Sequence, residues 1–262
     1  MKKRGQVTIL IILAIVIIVA VAAYLSLSNQ TSTNNINNAL TSLGVSQQVN
    51  ILENFITECL ETTLEDAVAV IGIQGGYYNQ PEKSEDIGFA FIPYYYDRGS
   101  FLQPSLNKIE SEISSFMNDA LPFCIEDLNI ENIALDQGKV ITKTEITQNE
   151  VTIHSDLEIK VSKGDSTASI ELTNYETSLR SKLYDMHELS KYITDSHKED
   201  AEFICISCVA DIAEEKGLFL DMVDFGIPFT TIVIISDNSN STEPQILEFL
   251  NRYPETNPPL IS

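Results

Sequence analysis

Residues 140–172 read VITKTEITQNEVTIHSDLEIKVSKGDSTASIEL. Val140, Thr142, Thr144 and Ile146 alternate with polar residues, and so do Val151, Ile153, Ser155, Leu157, Ile159 and Val161. Ala168, Ile170 and Leu172 make a third alternating run. Gln148-Asn149-Glu150 and Lys163-Gly164-Asp165-Ser166 supply the turns between them. A period of two with tight turns predicts a three-stranded antiparallel meander, one face packed and one face wet.

Upstream, the period changes. Leu52, Phe55, Ile56, Cys59, Leu60, Leu64, Ala67, Val68 and Ile71 fall at helical spacing and predict a helix over 49–71, stopped by Gly75-Gly76. Phe89, Phe91 and Pro93 alternate with Ala90 and Ile92 and predict a short buried strand. Tyr94 to Tyr96 lead from it into the turn Asp97-Arg98-Gly99-Ser100. Leu106, Ile109, Ile113, Phe116, Met117, Ala120 and Leu121 predict a second helix, with Pro122 ending its regular pattern before Cys124. Downstream, residues 179–216 read as helix with a break near Thr194–His197. Runs at 218–223 and 229–235 follow as strands, and 246–253 is a closing strand or a short helix. The predicted class is α+β: amphipathic helices packed on an antiparallel sheet, over 49–253, with a frayed tail at 254–262.

A different signal precedes this domain. Val7 to Leu25, VTILIILAIVIIVAVAAYL, carries no charge. As a helix it would be about 28 Å long, near the thickness of a bilayer's hydrocarbon core. It predicts one transmembrane helix, joined to the domain by the Ser/Asn/Thr-rich linker 26–48. Lys2, Lys3 and Arg4 lie in the head, residues 1–6, and no acid occurs before Glu53. The positive-inside rule then places the head in the cytoplasm and the domain outside the cell. Tyr24, Leu25 and Leu27 offer no small-residue cleavage site, so an uncleaved anchor in the lipid bilayer is expected over a conventional signal peptide.

The head M-K-K-R-G-Q-V-T-I (1–9) resembles the class III signal peptide of archaeal type IV pilin-like proteins, in which a short basic leader ends in Gly before Gln. The resemblance covers Lys2 to Thr8 and the apolar helix, and the whole layout is similar to archaeal membrane-anchored proteins that share this head. It implies cleavage between Gly5 and Gln6. Such pilins have Glu at the fifth mature position, where this chain has Leu10. In pilins that Glu aids helix packing in the filament core.

The net charge is −22, with 38 acidic and 16 basic residues. An acidic surface without a basic stripe excludes a nucleic-acid partner. Cys59, Cys124, Cys205 and Cys208 are an even set on the outer side of a membrane, which favours disulfides. Four cysteines allow three pairings. A Cys59–Cys124 bridge would pin the first two helices and is worth about 4 kcal/mol in loop-closure entropy. Cys205-Ile206-Ser207-Cys208 is the one close pair. Its predicted place inside a helix running from Glu199 to Lys216 gives little dipole activation of a thiol, and no thioredoxin-like βαβ pattern surrounds it; if the two cysteines bond to each other, the helix must bend or start there. A zinc site would need Cys59 and Cys124 as the second ligand pair.

Other chemistry is sparse. His154, His187 and His197 have no metal-ligand spacing, and no Walker loop, G-x-S-x-G or H-E-x-x-H occurs. The oxygen-rich loop 237–243 lacks a calcium loop's glycine and closing acid. No catalytic, metal or cofactor site is predicted. Asn29 and Asn240 head glycosylation sequons. Tyr77, Tyr78, Tyr94, Tyr95 and Tyr96 crowd one segment, which reads either as cover for the core of the α+β domain or as an aromatic contact surface. Two functional classes follow. One is a non-enzymatic anchored protein of surface structure, adhesion or pilin-like self-assembly. The other is an anchored thiol-redox enzyme using Cys205 and Cys208.

Overall fold

Ile36, Thr41 and residues 49–126, 134–201, 204–237 and 244–255 are described by a computed structural model. The apolar stretch 7–25, Gly5, Gln6, Asn29, Asn240 and the rest of the oxygen-rich loop after Asp237 lie outside the described residues. Among those described, no helix is long and apolar enough to cross a membrane.

The chain adopts the α+β class. Its elements are α1 (Val49–Ile73), β1 (Ser84–Asp86), β2 (Phe91–Asp97), β3 (Ser100–Phe101), α2 (Leu106–Glu126), β4 (Ala134–Ile146), β5 (Glu150–Lys163), β6 (Ser166–Arg180), α3 (Leu183–Ser196), α4 (Ile206–Glu215), β7 (Phe219–Asp224), β8 (Thr230–Asp237) and β9 (Gln245–Arg252). They divide into two compact units. The first takes residues 1–57, 125–140 and 155–175, and the second takes 58–124, 141–154 and 176–262.

The first unit contains the far ends of the meander. Leu157, Ile159 and Val161 of β5 and Ile170 and Leu172 of β6 point inward, with Lys160 and Glu171 outward. The two-residue turn Gly164-Asp165 joins the strands, which only antiparallel neighbours allow. Thr57 on α1 shares a 2.7 Å hydroxyl contact with Tyr175.

The second unit begins with the rest of α1, whose stripe Cys59, Leu60, Leu64, Ala67, Val68 and Ile71 is buried as its spacing predicts. Helix α2 buries Ile109, Ile113, Met117 and Leu121. It also runs through Pro122, where the regular apolar pattern ends, to Glu126. Proline removes one backbone donor, yet the apolar face on either side of it stays in place, with Leu121 and Ile125 both fully buried.

The polar face of α2 meets edge strand β4. Asn118, Ser114 and Glu110 accept hydrogen bonds from the backbone N–H groups of Thr142 (2.8 Å), Thr144 (3.1 Å) and Ile146 (2.9 Å). Four residues of helix rise about 6 Å and two residues of strand about 6.8 Å, so the two ladders stay in step. The otherwise unpaired edge of the meander is thereby satisfied by side chains.

The larger sheet runs β1-β2-β9-β8-β7, with β3 also on β2. The sequence predicts antiparallel pairing throughout; in the fold β2 and β9 are parallel, Tyr94 opposite Leu250. A parallel pair needs a long crossover, and nearly all the rest of the domain lies between these two strands. Every residue of β2 is buried, as in a central strand covered on both faces. Arg98 and Gly99, with φ of 48° and 96°, make the two-residue turn into β3. Phe89, predicted inside a buried strand, sits instead on the β1–β2 turn and is 87% exposed. Residues 246–253 resolve as strand β9. Helix α3 packs on β8 and β9, and α4 on β7 and α3.

The end of α1 presses directly on β9. A Cβ at Gly72 would lie 2.1 Å from the Ile246 carbonyl oxygen. That neighbour is backbone and cannot rotate away. Gly72→Ala is therefore expected to cost about 2 kcal/mol through overpacking despite alanine's better helix propensity. A denaturation midpoint equal to or above the parent's would contradict this packing.

Candidate thiol-disulfide centre

The four cysteines form two pairs, and each occupies a different kind of place. Cys59 bonds Cys124 across 65 residues, joining α1 to α2 with a Cα–Cα distance of 5.7 Å. Cys59 is 1% exposed. Cys205 bonds Cys208 across three residues, with Cα atoms 5.3 Å apart. The four sulfurs are thus committed in separate pairs and do not gather as a zinc ligand set. Among the described residues no group of three or more His, Cys, Asp or Glu could hold a metal ion.

The C-I-S-C pair is where the sequence reading needs correction. Its spacing predicts both cysteines within a helix from Glu199. The helix begins only at Ile206, and Cys205 is its N-cap, with extended backbone (φ −73°, ψ 90°). A bridge over three residues cannot close with both cysteines inside a regular turn, so the helix starts at the bond. The Cys208 N–H donates to Cys205 Sγ at 3.3 Å, and the Ser207 hydroxyl lies 3.6 Å from the same sulfur. No acidic side chain occupies the first turn of α4. Both cysteines are half-buried, while Ile206 and Ser207 between them are exposed. Val209 and Ala213 anchor the helix in the core behind them.

The tyrosines lie elsewhere and do other work. Tyr94, Tyr95 and Tyr96, read from the sequence as core cover or contact surface, are 2%, 0% and 1% exposed and belong to the core. The reason is the double coverage of β2, which buries both of its faces. Tyr95 stacks on Phe249 at 4.2 Å and donates to the Gly75 carbonyl at 3.0 Å. Burial raises its phenol well above the ordinary value. Tyr94 donates to Glu85 at 2.7 Å, beneath the Arg252 guanidinium 4.5 Å from its ring. Tyr77 and Tyr78 are half-buried. Tyr77 donates to the Leu102 carbonyl at 3.3 Å, and the Tyr78 ring meets Phe116 edge-on at 5.3 Å.

Two buried carboxylates were not legible in the sequence. Glu112 is 3% exposed and accepts from the backbone N–H groups of Tyr78 (2.9 Å) and Asn79 (2.8 Å), the Asn79 amide and Lys108. It latches the segment after Gly76 to α2. Burial pushes its carboxyl up, but the Lys108 ammonium and the two backbone donors outweigh that and hold it below the ordinary range. Asp97 accepts from Arg252 at 2.7 Å and pairs with Lys83 at 3.3 Å. The Arg252 bond is the main cause of its lowered pKa.

His187 Nε2 lies 3.0 Å from the Pro104 carbonyl and donates to it. His154, on β5, is 3.8 Å from Glu176. His197 is buried, stacked on Tyr96 at 4.5 Å and edge-on to Tyr253 at 5.3 Å. Burial lowers its pKa from 6.5 to about 4, against the opposing influence of Asp200.

The shifts of His197, Asp97 and Glu112 are all downward. His197 protonates more readily in the unfolded chain, so the stability tied to its neutral form is complete above pH 6.5 and is lost as pH falls to about 4. Asp97 and Glu112 extend the loss: their stabilisation is complete above the unfolded carboxylate value of about 4 and disappears as pH falls through their lower folded values. Denaturation midpoints measured against pH should fall in two stages, and His197→Phe should flatten the stage between 6.5 and 4. A slope unchanged by His197→Phe would assign that stage to another group.

Compared with protein-family models, with curated proteins and with solved structures, this chain matches none.

Proposed function

We propose that this chain is a single-pass membrane-anchored protein whose disulfide-braced domain works outside the cytoplasm, as a non-enzymatic element of surface structure, adhesion or a pilin-like assembly. The observation that carries the reading is the state of the cysteines: all four are bonded within the chain, and one bond closes a 65-residue separation between helices. Such bonds persist in oxidising compartments outside the cytoplasm. Three features of the sequence agree with it. Val7 to Leu25 is apolar and long enough to span lipid, the basic head Lys2-Lys3-Arg4 precedes it, and Gly5-Gln6 sits where the pilin-like leader is cut.

The aromatic segment is not the contact surface in this proposal, because its tyrosines are core or half-buried. The exposed apolar side chains Phe89 and Phe123 are the better surface candidates, at 87% and 71% exposure.

Protease treatment of intact cells, followed by N-terminal mass determination on the membrane fraction, tests the proposal. The domain should be digested from outside and should remain with the membranes. A mature chain starting at Gln6 would support pilin-like processing, and one starting at Met1 would leave a plain anchor. A domain protected in intact cells, or recovered in the soluble lysate, would overturn the reading.

A further inference from the structure

We infer that Cys205–Cys208 is an exchangeable disulfide that oxidises dithiols of polypeptide partners, with Cys205 as the attacked and departing sulfur, while Cys59–Cys124 is inert bracing. This goes beyond the structural role proposed above and does not rest on the membrane anchor.

Four observations converge on Cys205. It is the N-cap of a ten-residue helix, where the positive end of the dipole favours a thiolate. The Cys208 N–H already points at its sulfur from 3.3 Å, so a negative charge there would meet a donor in place. The first turn holds no acidic side chain to oppose that charge, in a chain of net charge −22. The residues between the cysteines, Ile206 and Ser207, are exposed, so a partner can approach the bond. The exposed, uncharged tip with Ile206 at 41% exposure fits a neutral or apolar peptide segment better than a small anionic thiol. Cys59, by contrast, is buried to 1%, so a thiolate can approach that bond only from the half-buried Cys124 and opens it more slowly.

The exchange balances without any further reactant. One thiolate of a partner dithiol attacks Cys205 Sγ. The Cys205–Cys208 bond breaks, and its electron pair leaves with Cys208 Sγ, which takes up a proton. The partner's second thiolate then attacks its own sulfur in the mixed disulfide and expels Cys205 as a thiolate, held by the helix N-terminus and the Cys208 N–H. The partner dithiol is oxidised to a disulfide, and Cys205 and Cys208 end reduced. Stabilising the departing thiolate favours the reduced form, which makes the bond an oxidant.

The test uses the full chain in detergent. Limited dithiothreitol, quenching with an alkylating reagent and peptide mass analysis read the opening of each bond. Cys205–Cys208 should open at least about 10-fold faster than Cys59–Cys124, because thiolate attack depends on access and Cys59 is shielded. In the selectively reduced chain, Cys205 should be alkylated at least about 10-fold faster than Cys208 at pH 6. The oxidised chain should convert a neutral synthetic peptide carrying two cysteine thiols to its disulfide, one for one. Cys208→Ser, incubated with the disulfide form of that peptide, should accumulate a mixed disulfide at Cys205, and Cys205→Ser should not. Circular dichroism on both variants checks that the fold is retained. Equal opening rates for the two bonds, faster alkylation of Cys208, or no oxidation of the peptide would each overturn the inference, whatever the protease experiment finds about the membrane.

Discussion

Replacing Cys59 and Cys124 together by serine is expected to lower the stability of the second unit by about 4 kcal/mol. In the chain-entropy account a bond between residues 65 apart removes that much loop-closure freedom from the unfolded chain. Two further effects add to the loss. Cys59 lies on the buried stripe of α1 between Ile56 and Leu60, so a serine there places a hydroxyl among apolar groups. Cys124 lies two residues beyond Pro122, in the stretch of α2 that already lacks one backbone hydrogen bond. Chemical denaturation of the double variant, read at the midpoint with the slope compared, checks this. A loss below about 1 kcal/mol would mean that the unfolded chain keeps these helices together without the bond. The matched Cys205→Ser/Cys208→Ser variant should lose less, because a bond over three residues closes almost no loop.

Tyr95→Ala is expected to cost about 4 kcal/mol, in the range for emptying a large aromatic site in a core. The side chain is fully buried in the middle of β2 and stacked on Phe249 of β9 at 4.2 Å. Its hydroxyl donates to the Gly75 carbonyl, at the point where α1 turns away from the sheet. The substitution therefore loosens the parallel β2–β9 pairing and the end of α1 together. Tyr95→Phe separates the two contributions. It keeps the stack and leaves one buried carbonyl without its donor, at a cost of about 1–3 kcal/mol. If Tyr95→Ala and Tyr95→Phe were equally stable, the hydroxyl alone would be holding this corner. If neither changed the midpoint, the aromatic run would not be core.

Glycine and carboxylate positions show why such sites stay hidden until the chain is folded. Glu112 lies beside the apolar stripe of α2, three residues from Ile109 and one from Ile113, and reads as an ordinary solvated acid. Only when the segment after Gly76 returns over α2 do two backbone N–H groups meet its carboxylate. Gly72 lies just past the predicted end of the first helix, and only in the fold does Ile246, 174 residues later, bring its carbonyl to the same place. Glu110, Ser114 and Asn118 are a plain polar face until β4 supplies three N–H groups at matching intervals.

What the amino-acid order determined by itself is local and periodic. Spacing at three and four residues marked α1 and α2, alternation marked the meander, and Arg98-Gly99 marked the turn after β2, because each pattern follows from backbone geometry that a short window contains. The tertiary structure alone decided which of the apolar runs became a doubly covered central strand, so Tyr94, Tyr95 and Tyr96 went inside and Phe89 stayed out. It also decided that Cys205 bonds Cys208 and that α4 starts at Ile206. The three-residue disulfide leaves Cys205 outside the helix as its cap, and Val209 and Ala213 are buried behind it. Strand neighbours are settled by contacts between residues far apart in the chain, and a short window of sequence contains only one side of each contact.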